Sequence, residues 1–176
     1  QPVKEVAPPN SDSAESSVGP IDRFIRQKLT AEGLLPAPLT SPQTLIRRLS
    51  LVLTGLPPNT DQMARFLANS SPASYETIVD ELLNSVHFGE HWARHWMDVV
   101  RFAETLGNDW NYEINGASHY RDYLIRAFNA DVPYDQLIRE HIAGDLLDQP
   151  RINKRDGINE SLAGLNFYRF GEQGHD

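Results

Sequence analysis

The stretch His87 to Glu104, HFGEHWARHWMDVVRFAE, decides how the rest of the chain is read. It holds three of the six histidines and two of the three tryptophans, and as a helix it spans about five turns. At 100° per residue, Phe88, Trp92, Trp96, Val99, Ala103 and Leu106 fall on one apolar stripe. That stripe is the expected core face, with Trp92 and Trp96 buried beside Val99. His95 and Phe102 lie on its flank, and Asp98 one step further round. His87, His91 and His95 recur at i, i+4 and i+8, so their rings line one side. Neutral imidazoles at that spacing can chelate a metal or ligate a haem. The alternative is an amphipathic helix whose histidines are solvated or hydrogen-bonded at the rim.

Outward from that helix, start and stop signals repeat. Pro20 opens a helix through Ile21, Phe24, Ile25 and Leu29 that ends at Gly33. Ser41 caps the next, with Pro42 in its first turn and Leu45, Ile46, Leu49, Val52 and Leu53 as its apolar face. Gly55 and Pro57-Pro58 stop it. Asn59 or Thr60 caps a short helix, Asp61 to Ala68. Ser71-Pro72 starts another with Tyr75, Ile78, Val79, Leu82 and Leu83 inward. After the 87–106 helix comes a polar loop, Gly107 to Gly116, carrying Trp110 and Tyr112, which reads as a binding surface or as aromatics lying on the core. Ser118 to Asn129 is helical and Asp131-Val132-Pro133 breaks it. Tyr134 to Leu147 is helical, interrupted or ended near Gly144. Asn159 caps a last helix from Glu160 to about Tyr168. No strand alternation competes. The expected fold is all-α, a compact bundle of about seven or eight short helices around the central one near 87–106. Residues 1–19, rich in Pro, Ser and acids, read as a linker or tail, extended unless anchored by Val3, Val6 and Pro8-Pro9. Residues 20–176 read as one domain.

Composition removes several classes. A formal net charge of −8 argues against a general nucleic-acid-binding face, which needs clustered Lys and Arg. No apolar run approaches the ~20 residues of a membrane span, so no membrane insertion is expected. With no cysteine in the chain, a disulfide framework, a thiolate zinc site and covalent c-type haem attachment are excluded within these residues. There is no Gly-rich phosphate loop, no G-x-S-x-G and no HExxH. Gln1, with no signal peptide before it, reads as a processed or cut end.

Four polar clusters remain. His95 with Asp98 comes first, followed by Arg101 and Glu104; a carboxylate one turn away can fix an imidazole tautomer for base or ligand duty. The second is His119-Tyr120-Arg121-Asp122, the third Glu140-His141 with Asp145, the fourth Glu172 with His175. Each also reads as solvated or dipole-favoured charge at a helix end. Arg23, Arg26, Arg47 and Arg48 read as solvated faces.

Several long motifs carry a resemblance. PIDRFIRQKL at 20–29, TLIRRLSLVLTGLPP at 44–58, YETIVDELLNS at 75–85, FGEHWARHWMDVVRFAET at 88–105, HYRDYLIRAFNADVPYDQLIREHIAGDLL at 119–147 and GINES at 157–161 resemble the planctomycete cytochrome c-associated domain family. The resemblance implies a module of an exported, periplasmic or cell-envelope protein, redox or electron-transfer related, with neighbouring domains of the same polypeptide or a cytochrome as partner. The family has no established activity, so no proven catalytic residue transfers. Its pattern runs past GE-x-x-H (Gly171, Glu172, His175) to a C-x-x-C-H haem-attachment motif, whereas this chain stops at Asp176 without a cysteine. The chain is therefore expected either to be truncated before the haem c segment or to belong to a member that lost the haem. His91 stands where the family has a basic residue, which favours His95 over the ladder.

Three functions follow: a redox module, with His95, His119, His141 and His175 as candidate axial ligands; a non-catalytic scaffold; and a metal- or carboxylate-dependent enzyme acting on polysaccharide. The candidate catalytic residues are His95, Asp98, Arg101, Arg121 and Asp145. The candidate cofactor-binding residues are His119, His141 and His175. The candidate metal ligands are His95, Glu172 and His175. At least three of the clusters are expected to line one concavity near the C-terminus.

Overall fold

The computed structural model describes residues 7–9, 19–107 and 111–170. The chain gathers into two units, residues 1–40 and 41–176. The first holds α1, Pro20–Ala31, which starts on Pro20 and has Asp22 in its first turn and Lys28 in its last, charges that suit the helix dipole. Gly33 takes the left-handed region at φ 66°, and the Leu34 N–H reaches back to the Leu29 carbonyl at 2.9 Å, closing the helix end. No α1 residue is buried. The Arg23 guanidinium donates to the Pro9 carbonyl at 3.4 Å. Val3, Val6 and most of the expected tail lie outside the described residues.

The second unit is all-α. α2 (Pro42–Thr54), α3 (Thr60–Ala68) and α4 (Pro72–Leu83) begin at Ser41, Asn59 and Ser71, each accepting a backbone N–H on its side-chain oxygen. Asn59 and Gln62 satisfy each other's backbone in a capping box. Ile46, Phe66, Ile78 and Leu82 form one small core between them, with Leu45, Leu49, Leu53, Met63 and Tyr75 packed against it. A second core gathers Ala93, Tyr120, Tyr123, Leu124, Ala127, Leu137 and Phe170. It joins α5 (Val86–Val99), α6 (Ala117–Asn129), α7 (Tyr134–Ala143), α8 (Glu160–Ala163) and a 3-10 helix, Gly164–Phe170. α5 packs on α2 and α4 as well as on α6, so it is the central helix. A Cβ at Gly89 would sit 2.4 Å from the Ile125 carbonyl oxygen, and the Gly89 N–H donates to Asn129 Oδ1 at 2.8 Å. The missing side chain is what lets α5 and α6 approach.

Two details of the central helix differ from expectation. It stops at Val99 rather than near 106. Arg101 enters the left-handed region at φ 58°, which costs a non-glycine residue roughly 1–2 kcal/mol. In return the Arg101 and Phe102 N–H groups satisfy the Asp98 and Met97 carbonyls at 3.3 and 2.9 Å. The chain then pairs across itself, Leu106 N–H to Tyr112 O at 2.9 Å and Ile114 N–H to Glu104 O at 2.8 Å, around an isolated Thr105–Glu113 bridge. Val99 is 74% exposed. The buried positions of α5 are Gly89 and Ala93, with Trp96, Met97 and Val100 packed against the core. The helix is turned so that its small residues lie innermost and its indoles are only half-buried. Trp92 stacks on its own helix instead, with its ring 6.0 Å from Phe88 and 5.3 Å from His95. α7 ends at Gly144, where a Cβ would lie 1.8 Å from the Ser161 carbonyl oxygen; only glycine lets α7 and α8 meet there.

Candidate functional site

The most concentrated chemistry lies inside the second core. Leu137, Glu140 and His141 are spaced i, i+3 and i+4 on α7, so one apolar contact face carries an acid and an imidazole inward. Glu140 is 0% exposed. Its carboxylate accepts from Arg151 Nε at 3.1 Å and Nη2 at 2.9 Å, Tyr123 Oη at 2.7 Å, Gln136 Nε2 at 3.1 Å and Ser161 Oγ at 3.1 Å. A carboxylate offers about four lone-pair sites, so this one is saturated. Burial pushes Glu140 up, but the Arg151 guanidinium and the Tyr123 and Gln136 donors outweigh it and hold the carboxyl below its ordinary value. Burial, with Glu140 beside it, raises the Tyr123 phenol well above its ordinary range. The Arg151 guanidinium also sits over the Tyr123 ring, 5.6 Å from its centre.

A second carboxylate repeats the design. Glu160, 2% exposed, accepts from Arg126 Nε at 2.6 Å and Nη2 at 3.0 Å and from Asn153 Nδ2 at 3.0 Å. Both acids are served by the 151–160 loop. That loop is closed by Glu160 N–H to Arg151 O and Asn153 N–H to Ile158 O, each at 2.8 Å. Together the two clamps tie α6, α7 and α8 to one loop.

His141, 4% exposed, has both ring nitrogens engaged. Nδ1 lies 2.7 Å from the Leu137 carbonyl, which only accepts, so Nδ1 carries the proton. Nε2 then accepts from Tyr120 Oη at 2.8 Å and Trp96 Nε1 at 3.0 Å. Burial drives the imidazole pKa down, against smaller opposing effects of the Leu137 carbonyl and Glu140. The ring is neutral and sealed among Trp96, Tyr120, Tyr123 and Phe167. The network therefore rigidifies; it offers no free proton, lone pair or coordination position.

The other expected site residues lie elsewhere. His95, Asp98, Arg101, His119 and Asp145 are exposed. His95 stands edge-on to His91 with ring centres 5.1 Å apart, and His87 pairs instead with Glu90 at 2.8 Å. Arg121 bonds Glu104 at 2.9 Å and Asp122 at 3.3 Å. Among the described residues, no side-chain hydrogen bond or ion pair links His95, Asp98 or Asp145 to another expected site residue. Nor do any three His, Asp or Glu side chains among them form a group able to hold a metal ion. His119 lines a cleft with Asn159, Asn166 and Arg169. Glu172, His175 and Trp110 lie outside the described residues. Tyr123, Arg126, Arg151, Glu160 and Ser161 were not singled out by spacing, because the two Arg–carboxylate pairs and the Tyr123 and Ser161 bonds to Glu140 span 11 to 34 residues. The one local signal was an acid three residues after Leu137, on a face that had to be buried.

Fold and interior define a class: a small all-α domain stapled by two buried Arg–carboxylate clamps. The chain belongs to PSCyt2, a family described as protein of unknown function (DUF1549), whose profile matches residues 20–176. No curated protein and no solved structure matches it. No described helix is long and apolar enough to cross a membrane.

Proposed function

We propose that this domain is a non-catalytic packing module of an exported, cytochrome c-associated polypeptide of the periplasm or cell envelope. In this reading it serves electron transfer by holding a haem-bearing neighbour. The observation that carries this is the interior: Glu140 and His141 have their bonding positions filled, and Glu160 takes three donors, all from the domain itself. Groups so committed stabilise a scaffold and leave nothing to react with a substrate. The cytochrome association comes from the resemblance of the long motifs. Haem c, where bound, supplies one-electron redox chemistry. A cysteine-free stretch cannot attach it covalently, and His141 is closed to it. His119 and His95 are exposed on the surface, where a neighbouring domain could meet them.

The test is to titrate the purified chain with a small lysine-rich c-type cytochrome by calorimetry and by NMR. The chain's net charge of −8 favours a basic partner. Binding that weakens with salt is expected, with no hydrolysis of a polysaccharide panel. Turnover of a polysaccharide that is lost in His95→Ala or Asp98→Asn would replace this reading with the enzymatic one. No cytochrome binding at low salt would remove the packing role.

A further inference from the structure

The geometry points to a binding site for a small organic carboxylate with an apolar body, in the cleft between α6 and the 3-10 helix. The cleft has a volume of about 510 Å³ and is lined by His119, Asn159, Leu162, Leu165, Asn166 and Arg169. It is separate from the packing role proposed above and does not depend on it.

The first observation is Arg169. In the same unit Arg65, Arg121, Arg126, Arg139 and Arg151 each pair with a carboxylate. Arg169, like Arg47, Arg48, Arg94, Arg101 and Arg155, has none among the described residues, and of these it is Arg169 that lines the cleft. Its Nη1 donates to the Asn115 carbonyl at 2.7 Å, which anchors the side chain and leaves the Nε and Nη2 donors without a protein partner among the described residues. Those two N–H groups point in parallel and match the two oxygens of a carboxylate. One guanidinium compensates one negative charge, which fits a carboxylate better than a doubly charged phosphate.

The second observation concerns the cleft walls. The Asn159 side-chain oxygen caps α8 by accepting the Leu162 N–H at 3.1 Å, so its amide N–H₂ stays available as a donor. Asn166 uses its own amide N–H on the Ala163 carbonyl at 3.1 Å. Among the described residues His119 makes no side-chain hydrogen bond, and it lines the same cleft. Leu162 and Ile158, large aliphatics at the same cleft, are exposed. An anion without an apolar portion would leave those aliphatics in water. A ligand with both parts satisfies the guanidinium and covers the leucine.

The test uses the full chain with four probes: octanoate, its neutral analogue octanamide, acetate and inorganic phosphate. Octanoate should bind with a Kd of about 1 mM or below, and each of the others about tenfold or more weaker. Arg169→Gln should lose about tenfold in octanoate affinity with an unchanged circular dichroism spectrum, and Arg169→Lys should lie between because it keeps charge but not the fork. NMR shifts on octanoate addition should centre on His119 and Leu162. Equal affinity in Arg169→Gln, equal binding of octanamide, or shifts centred outside this cleft would each overturn the assignment. Tight phosphate binding without octanoate binding would do the same.

Discussion

Replacing Arg151 with Met tests whether the Glu140 clamp holds the second core together. The substitution keeps an unbranched apolar stem and removes two charge-assisted hydrogen bonds, at 3.1 and 2.9 Å, from a carboxylate that is 0% exposed. Taking one partner from a buried ion pair typically costs about 3–5 kcal/mol, because the other charge is left desolvated. Arg151 keeps 26% of its side chain in water, and Tyr123, Gln136 and Ser161 still donate, so we expect about 2–4 kcal/mol. In a domain of this size that lowers Tm by roughly 6–15 °C. The pH dependence sharpens the claim. In the native chain the folded-state carboxyl lies below its ordinary value. Its contribution is therefore complete above the unfolded value of about 4.3 and is lost as pH falls through the folded-state value. Without the guanidinium, burial is opposed only by the neutral donors Tyr123, Gln136 and Ser161, and the variant's carboxyl is expected to titrate higher than the native one. Acidification then neutralises the stranded charge, and the gap between variant and native chain narrows. Urea titrations at pH 7 and pH 5 measure this, and Arg151→Met combined with Glu140→Gln should recover part of the loss at pH 7. A gap below about 1 kcal/mol at pH 7, or one that does not change with pH, would refute the reasoning.

Other outcomes follow from the same interior. His141 is held neutral, so its contribution is present above its unfolded value of about 6.5 and is lost as pH falls below it; Tm measured across pH 7 to 5 should decline, and less steeply in His141→Gln. Gly144→Ala should cost about 3 kcal/mol or more, since its Cβ would meet the Ser161 carbonyl at 1.8 Å, whereas Gly19→Ala, 3.7 Å from its nearest neighbour, should leave chemical denaturation unchanged. Trp96→Phe should lose about 1 kcal/mol with the indole N–H that reaches His141 at 3.0 Å. His95→Ala and Asp98→Asn should fall within about 0.5 kcal/mol of the native chain in a urea titration, both residues being exposed.

The fold was legible because its punctuation is local. Ser41-Pro42, Asn59 with Gln62, Ser71-Pro72, Gly55 and Asn159 each act within one turn of themselves, and a capping oxygen needs no tertiary partner to be recognised. The central helix was misread where the signal became non-local. Periodicity continues through Phe102 and Leu106, but the Leu106 N–H donates across to the Tyr112 carbonyl and the Glu104 carbonyl accepts from the Ile114 N–H instead of bonding along the helix. A stripe drawn through the large residues also placed Val99 inward. The actual contact face belongs to Gly89 and Ala93, whose smallness brings α6 close. Hydrophobicity ranks tryptophan above alanine; close helix packing ranks them the other way.

The candidate site was legible only in fragments for a related reason. Histidines are conspicuous in a sequence, yet in the 87–95 ladder His87 and His95 are exposed and His91 is half-buried. The residues that hold the interior are arginines, glutamates and tyrosines of the kind that usually read as solvated charge. Arg126 meets Glu160 across 34 residues and Trp96 meets His141 across 45, and no spacing rule spans such distances. What could have been read is that α7 has too few apolar positions to bury a face without including Glu140 and His141. A carboxylate forced inward needs a compensating donor such as a guanidinium, and the loop that follows α7 offers Arg151, ten residues before Ser161. The buried face of α7 thus points to the Arg151–Glu140 clamp more directly than the number of histidines does. Burial also separates the sealed His141 from the exposed His119.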